Sequence, residues 1–278
     1  MYVPPGEVLE QATQLGAKKA TLSVKDMAVR GFLSSALLGY ATALAFYASA
    51  VTHSPLVGAL VFPVGFVMLN LLGLELVTGN FALLLLPLFQ KRIGWGSVLR
   101  NWFIVYLAHI VGGLTLAYMI YVAWTHDGQK LSDPWVQRLV EVTEKKTLAY
   151  AALGAHGVWI AFVKAALCNW MVTLASFLGL TSKDTTGKIV AMWLPIFTFF
   201  ALGFEHSVVN LFLIPAGILA GASVSVSDWW MWNQIPVTIG NIAGGALFTA
   251  GLLYWTYPVA EHIRGSINWQ ESQHSEHT

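Results

Sequence analysis

Six long apolar stretches alternate with polar segments along the chain. A helix needs about 20 apolar residues to cross about 30 Å of hydrocarbon, and each stretch meets that requirement. The predicted spans lie near Gly31–Val51, Leu56–Leu88, Val98–Trp124, His156–Leu180, Ile189–Val224 and Gln234–Tyr257. The pattern therefore predicts an all-α membrane protein with six transmembrane helices.

The second and fifth spans are too long for one simple crossing, and each is interrupted by polar residues near its middle. The interruptions are Gly73–Asn80 (GLELVTGN) and Gly203–Asn210 (GFEHSVVN), in the middle span of each half of the chain. Irregular backbone at membrane depth must be buried in protein or line a cavity. Paired interruptions in corresponding segments of two halves indicate a transport site near the bilayer midplane. Two kinked helices in an ordinary bundle are the alternative.

Composition supports the membrane prediction and excludes several classes of protein. The chain is 56% hydrophobic and 10% charged, whereas soluble domains carry about 25% charged residues. A formal net charge of +1 and the absence of a long basic run argue against a nucleic-acid partner. The single cysteine, Cys168, has no zinc-type spacing to histidines, so it is predicted to be a small apolar core residue, and no metal site or cofactor is expected.

The distribution of Lys and Arg predicts the orientation. Cytoplasmic loops are enriched in these residues, and the side shared by both termini holds most of them. We therefore expect a cytoplasmic segment at 1–29, a channel domain at 30–258 and a cytoplasmic tail at 259–278, in an inner or plasma membrane. Val8, Ala12 and Leu15 are at helical spacing, so the first segment is either an amphipathic helix on the inner face or a frayed tail.

The ionisable residues at the interruptions are the candidate chemistry, because such groups are costly inside a membrane. Helical spacing places Phe199, Leu202 and His206 on one stripe, which suits a pore constriction. The imidazole supplies charge when protonated and one hydrogen bond when neutral; a satisfied core histidine is the alternative. Glu75 and Glu205 are predicted to be structural, accepting free backbone N–H groups of the broken helices, with a proton relay as the alternative.

Three motifs, GLELVTGN, Ala166–Ala175 (ALCNWMVTLA) and Gly203–Pro215 (GFEHSVVNLFLIP), resemble those of the formate/nitrite transporter family. The match extends in order over the whole six-span region. It implies an aquaporin-like fold with an inverted 3+3 repeat, and a homopentamer with one pore per subunit. It also implies transport of formate, nitrite or hydrosulfide, or of lactate in some members.

The resemblance also assigns the site residues. It identifies His206 as the central histidine, with pore or substrate partners at Thr78, Asn169, Asn210 and Lys164. The implied constriction residues are Phe62, Phe66, Leu76, Val77, Val172 and Phe199. Family members often have Leu in place of Phe66, Phe in place of Val77 and a second Cys in place of Thr173, so pore width and the preferred anion stay open. Lys164 is predicted to attract anions into a vestibule, or else to extend to the membrane interface or pair with an acidic residue.

A comparison of energies predicts how the anion crosses. Moving a bare carboxylate into a medium of low dielectric carries an idealised cost of about 20 kcal/mol. Protonating a carboxyl of pKa about 4 at pH 7 costs only about 4 kcal/mol. The energies therefore predict that the anion crosses largely as the neutral acid. The resemblance implies that the anion is formate, carried by a channel that operates as an anion–proton symporter under a gradient. Nitrite, hydrosulfide or lactate is the alternative substrate.

Two other classes of protein compete with this interpretation. A neutral-solute channel of the water or glycerol type would normally carry an Asn-Pro-Ala motif, which does not occur here. A redox subunit would bind haem between His109, His156 and His206, whose spacing is not that of paired axial ligands. No Gly-x-Ser-x-Gly or His-Glu-x-x-His sequence occurs, so no catalytic residues are predicted and the chain is not expected to be an enzyme.

Overall fold

The computed structural model describes residues 1–257, and these residues are helical apart from turns and one isolated backbone bridge between Tyr2 and Ser182. The predicted all-α class is therefore confirmed, whereas the predicted tail at 259–278 lies outside the described residues. The helices in chain order are α1 (Pro5–Ala20), α2 (Val24–Thr52), α3 (Pro55–Leu71), α4 (Val77–Phe89), α5 (Trp95–Thr125), α6 (Pro134–Ala151), α7 (Ala155–Leu178), α8 (Thr185–Ala201), α9 (Ser207–Leu219) and α10 (Val226–Thr256). α10 contains two π-helical stretches, Trp230–Gln234 and Gly244–Gly251.

Among the described residues, α2, α5, α7 and α10 are long and apolar enough to cross a membrane. The apolar pairs α3/α4 and α8/α9 are shorter and occupy the stretches of the second and fifth predicted spans. α3 and α8 each end at a glycine with left-handed dihedral angles, Gly73 (φ 64°) and Gly203 (φ 66°). In each case the glycine and the next residue donate backbone hydrogen bonds back into the helix, which is the Schellman type of helix end. The chain then runs extended before α4 or α9 begins.

The order of elements in α1–α5 is repeated in α6–α10. The helix α6 lies between the third and fourth predicted spans, where the sequence analysis predicted no helix. It is missed by a hydropathy pattern because one face alone is apolar, burying Val136, Leu139 and Tyr150. Asp133 and Pro134 supply a start signal, since proline is favoured at the first position of a helix.

The helix α1 is the counterpart of α6 in the first half. It buries Val8 and Ala12 in a cluster with Leu83–Leu86 of α4, and Leu15 is half-buried there. Residues before it are also held, because Val3 N–H donates to the carbonyl oxygen of Thr181 at 2.7 Å. Of the two interpretations of the first segment, the helix is therefore the one found.

Several glycines allow helices of the same chain to pack closely. A Cβ on Gly113 of α5 would lie 2.7 Å from the carbonyl oxygen of Leu211 in α9. Gly240 and Gly244 of α10 face the carbonyl oxygens of Phe162 and Ala166 in α7 even more closely. Since no larger residue fits at these contacts, the glycines hold the long helices around the two breaks.

Candidate functional site

The two breaks meet at the pair Thr78–His206. The Thr78 Oγ1 and His206 Nε2 atoms are 3.1 Å apart, and both residues are buried. Asn169 of α7 joins them, since its Nδ2 donates to the Thr78 carbonyl oxygen at 3.0 Å and to the Asn241 carbonyl oxygen at 2.6 Å. Thus the structure brings together three of the residues predicted for the site from sequence.

Local hydrogen bonds fix the tautomer of His206. The Val209 N–H donates to Nδ1 at 3.2 Å, so Nδ1 acts as an acceptor and a neutral ring carries its proton on Nε2. That Nε2–H then donates to Thr78 Oγ1, which leaves the hydroxyl hydrogen of Thr78 free to donate to another group. The arrangement therefore offers one hydroxyl donor at the point where the breaks meet.

The prediction that Phe199, Leu202 and His206 share one helical stripe is wrong, although Phe199 does lie against His206. α8 ends at Ala201, and Leu202 is 61% exposed. Phe199 reaches the imidazole because the chain turns back on itself at Gly203, where the Phe204 N–H donates to the Phe199 carbonyl oxygen. The two rings stack with centroids 5.8 Å apart.

All residues predicted for the constriction are buried in one apolar cluster, together with Val209 beside the imidazole. Phe62 packs edge-on against Phe199, with centroids 5.7 Å apart. The cluster members predicted from sequence are Phe62, Phe66, Leu76, Val77, Val172 and Phe199. The Thr78–His206 pair is therefore the polar contact beside an otherwise apolar set of side chains.

A cavity adjoins each break. The first, of about 530 Å³, is lined by His206 and Phe199, and the second, of about 450 Å³, is lined by Leu76. Since His206 lines the first cavity and Leu76 and Gly79, close to Thr78 in sequence, line the second, the Thr78–His206 pair is near residues of both linings. The basic side chains are Arg138, Lys145, Lys146 and Lys164 in the first cavity, and Lys18, Lys19, Arg30 and Lys188 in the second. With one glutamate in each lining, both cavities carry an excess of positive charge, which concentrates anions.

Lys164, predicted to attract anions, lies in the first cavity rather than against lipid alone. Its Nζ is 3.4 Å from the Tyr150 hydroxyl and 5.6 Å from the centre of that ring. The ammonium group is therefore held at the cavity wall by a hydroxyl and an aromatic face, a favourable setting for a cation.

Glu205 and Glu75 each accept hydrogen bonds from side chains, and not from the backbone N–H groups that the sequence analysis expected. Glu205 accepts from Lys146 (2.8 Å), Tyr150 (2.8 Å) and Asn210 (2.9 Å). Asn210, predicted as a pore residue, is thus a partner of Glu205, and it also lines the first cavity.

Glu75 has the corresponding partners in the first half, where Lys19 donates at 2.6 Å and Asn80 at 2.8 Å. Asn101 of α5 and Asn233 of α10 complete the two sets by accepting from Asn80 and Asn210, each at 2.8 Å. In each half, therefore, an ion pair connects the break to the amphipathic helix, through Lys19 of α1 or Lys146 of α6.

The sequence did not reveal which residues accept hydrogen bonds from the first backbone N–H groups of α4 and α9. The Val77 N–H donates to His109 Nε2 at 3.0 Å, and His109 Nδ1 lies 2.8 Å from the Gly31 carbonyl oxygen. In the second half the Ser207 N–H donates to Asn241 Oδ1 at 2.8 Å. Because both ring nitrogens of His109 and of His206 have hydrogen-bond partners, neither is free to ligate haem. A histidine in mid-span was the only sequence signal for the role of His109.

The chain is similar in sequence to known membrane transport proteins. A family profile described as formate/nitrite transporter matches residues 6–256. A probable formate transporter of Methanothermobacter thermautotrophicus is 43% identical over 209 residues, which cover 73% of this chain and 75% of that protein. A formate channel of Haemophilus influenzae is 34% identical, covering 85% of this chain and 90% of that protein. A formate channel of Bacillus thuringiensis is 32% identical, covering 93% and 96%.

Two solved structures share the fold. An FNT family ion channel superimposes with a TM-score of 0.77 at 24% identity, covering 90% of this chain and 99% of that one. A pentameric formate channel with formate bound gives a TM-score of 0.72 at 22% identity, covering 84% and 96%. With the family profile spanning nearly all the described residues, the chain belongs to the formate/nitrite transporter family of membrane channels.

Proposed function

We propose that this protein is a membrane channel for formate. The observation that carries the proposal is the Thr78–His206 pair, which lies beside an apolar cluster and near residues that line two cavities of excess positive charge. A small carboxylate fits each part of this arrangement, because the basic side chains concentrate it and the Thr78 hydroxyl donates a hydrogen bond to it. Relatives with formate as the stated substrate support the same choice.

The transport step follows from the low polarity between the cavities. A bare carboxylate there carries an idealised desolvation cost of about 20 kcal/mol, and one or two hydrogen bonds to an ionised group return only about 1.5–3 kcal/mol each. Protonation at pH 7 costs about 4 kcal/mol for a carboxyl of pKa about 4. Formate therefore gathers as the anion and crosses largely as formic acid, so net transport moves one proton with each formate. Nitrite is the alternative substrate, since it is also the anion of a weak acid.

The assembly and orientation are part of the same proposal. The long helices expose large apolar side chains, including Leu33, Tyr40, Phe103, Val111 and Tyr118, and such surfaces require lipid or neighbouring subunits. We place five copies together, by analogy with the pentameric relative, with both chain ends on the cytoplasmic side of the plasma or inner membrane. Cysteine-specific labelling of a Thr278→Cys variant in intact cells would contradict this orientation if an impermeant reagent reacted with it.

The test is flux into proteoliposomes. Purified protein is reconstituted, and uptake of formate, nitrite and hydrosulfide is measured at pH 5.5 and pH 7.5, with His206→Phe as the variant and His156→Phe as the control. His156 is exposed and distant from the breaks in sequence. We expect formate uptake that acidifies the lumen, falls with rising pH and drops in the first variant alone. Formate uptake no faster than in empty liposomes would refute the channel, and unchanged flux in His206→Phe would refute the role of the imidazole.

A further inference from the structure

We propose that His109 is a positioning residue for transport, holding the first break so that Thr78 faces His206. This inference rests on the proposed formate channel. His109 belongs to α5, is fully buried, and lies outside the linings of both cavities. It therefore acts on the permeating molecule only through the backbone that it holds.

The argument begins with the backbone of α4. The first N–H groups of a helix lack partners within that helix, and an unpaired N–H is costly where water is excluded. In α4 the first of these belongs to Val77, and its acceptor is His109 Nε2 at 3.0 Å. Leu76 precedes Val77 and has no polar side-chain atom to cap the helix, so His109 supplies the acceptor from another helix.

The same hydrogen bond fixes the His109 ring. Because Nε2 accepts, the proton of the neutral ring is on Nδ1, which donates to the Gly31 carbonyl oxygen at 2.8 Å. α2 is also held to α5 beside this site, since the Ser35 hydroxyl donates to the His109 carbonyl oxygen at 2.9 Å. His109 thus links the first break to two long helices through one acceptor and one donor.

The second half uses a different side chain for the same task. Asn241 Oδ1 accepts from the N–H of Ser207, the first residue of α9, and its Nδ2 donates to the Ala165 carbonyl oxygen at 2.8 Å. Val77 and Ser207 occupy corresponding positions in the two breaks. Two chemically different residues that make the same pair of bonds indicate that the acceptor and donor are the requirement, and not the bulk of the side chain.

The structural consequence concerns Thr78, the neighbour of Val77. Its carbonyl oxygen is held by Asn169 and its hydroxyl by His206, while His109 holds the N–H one residue earlier. Without the His109 acceptor, the start of α4 must rotate to bring the Val77 N–H to a polar partner. That rotation moves the Thr78 hydroxyl away from the His206 Nε2–H.

The experiment compares two amides at position 109. A glutamine extends about as far as Nε2, so His109→Gln keeps an acceptor for the Val77 N–H. An asparagine extends only as far as Nδ1, so His109→Asn keeps a donor for the Gly31 carbonyl oxygen and loses the Val77 bond. In the proteoliposome assay, scaled to the amount of reconstituted protein, we expect formate flux near the wild-type value for His109→Gln and about tenfold lower for His109→Asn.

Two readouts separate positioning from a general structural role. The concentration of formate at half-maximal flux should stay the same in His109→Asn while the maximal flux falls, because the cavities that gather the anion are unaltered. Equal flux in the two variants, or a fall in both, would overturn the inference while leaving the channel in place. Loss of formate flux in the wild type would instead refute the proposed function.

A measurement on the wild-type protein covers the case in which a variant does not assemble. Amide hydrogen exchange of a peptide that contains Val77 should be slow in the wild-type protein, because that N–H is buried and bonded. Rapid exchange at Val77 in the folded wild-type channel would show that His109 does not hold it.

Discussion

The ion pair between Lys146 and Glu205 allows the energetics of the second break to be tested. The Lys146 Nζ lies 2.8 Å from Glu205 Oε2, and the carboxylate side chain is 1% exposed. In Lys146→Met the carboxylate stays buried with neutral donors alone, and a buried charge that loses its partner costs about 3–5 kcal/mol. Arg138 and Glu141, on the same helix α6, form an ion pair at 2.6 Å, but their side chains are 36% and 61% exposed. Exposed pairs contribute about 0–1 kcal/mol, so Arg138→Met is the matched control.

The free energy of unfolding is measured by titrating the purified protein from a mild detergent into dodecyl sulfate and following tryptophan fluorescence. The chain has 12 tryptophans, so the signal is strong. We expect Lys146→Met to lose about 3–5 kcal/mol and Arg138→Met less than about 1 kcal/mol. In the double variant Lys146→Met/Glu205→Gln the buried charge is gone, so most of the loss should be recovered. Equal losses in the two single variants, or a double variant no more stable than Lys146→Met, would refute the reasoning.

Three further predictions concern the site, the first cavity and helix packing. Thr78→Val removes the hydroxyl that accepts from His206 Nε2, so formate flux should fall about tenfold, while Thr78→Ser keeps flux within about twofold of wild type; equal flux in both variants would contradict this role. Lys164→Gln should lower formate uptake at sub-saturating concentration. The difference in uptake from wild type should vanish in about 1 M salt, where charges are screened within about 3 Å. A difference that persists in salt would rule out electrostatic attraction. Gly244→Ala should destabilise the protein by about 1–3 kcal/mol because the added Cβ meets the Ala166 carbonyl. Gly96→Ala has open space around it, so this control should be neutral or stabilising. Similar unfolding curves for the two variants would refute the close packing.

The sequence predicted the parts of this channel that depend on neighbours along the chain. Gly73 and Gly203 locate the ends of two helices, because a left-handed residue ends a helix and glycine adopts that conformation readily. The long apolar stretches locate the other helices. α6 was missed because a helix that is apolar on one face gives a weak hydropathy signal, although Asp133-Pro134 marks its start.

Contacts between distant parts of the chain were not predictable in this way. The partners of Glu75 and Glu205 were expected to be backbone groups, yet they are side chains, and each set includes a lysine from an amphipathic helix that is remote in sequence. The role of His109 was not predicted, because a single histidine in an apolar span does not reveal which N–H it faces. Hydrogen bonds of this kind depend on how the helices cross, and one sequence does not specify those distances.

The two breaks share a scaffold and differ at the residues that carry the proposed chemistry. Each has a glycine at the helix end, a glutamate bonded to a lysine, and an asparagine bonded to that glutamate. Within this common scaffold, the residue before the second half-helix is Leu76 in one break and His206 in the other.

The breaks also differ at Thr78, whose counterpart in the second break is Val208. One break therefore contributes the hydroxyl and the other the imidazole, and the two groups meet at 3.1 Å. If the two breaks had identical residues at both of these positions, the same contact would occur twice. The meeting point would then hold either two polar pairs or none. The proposed single donor site in an apolar passage thus requires that the halves stay alike in the scaffold and unlike at these two positions.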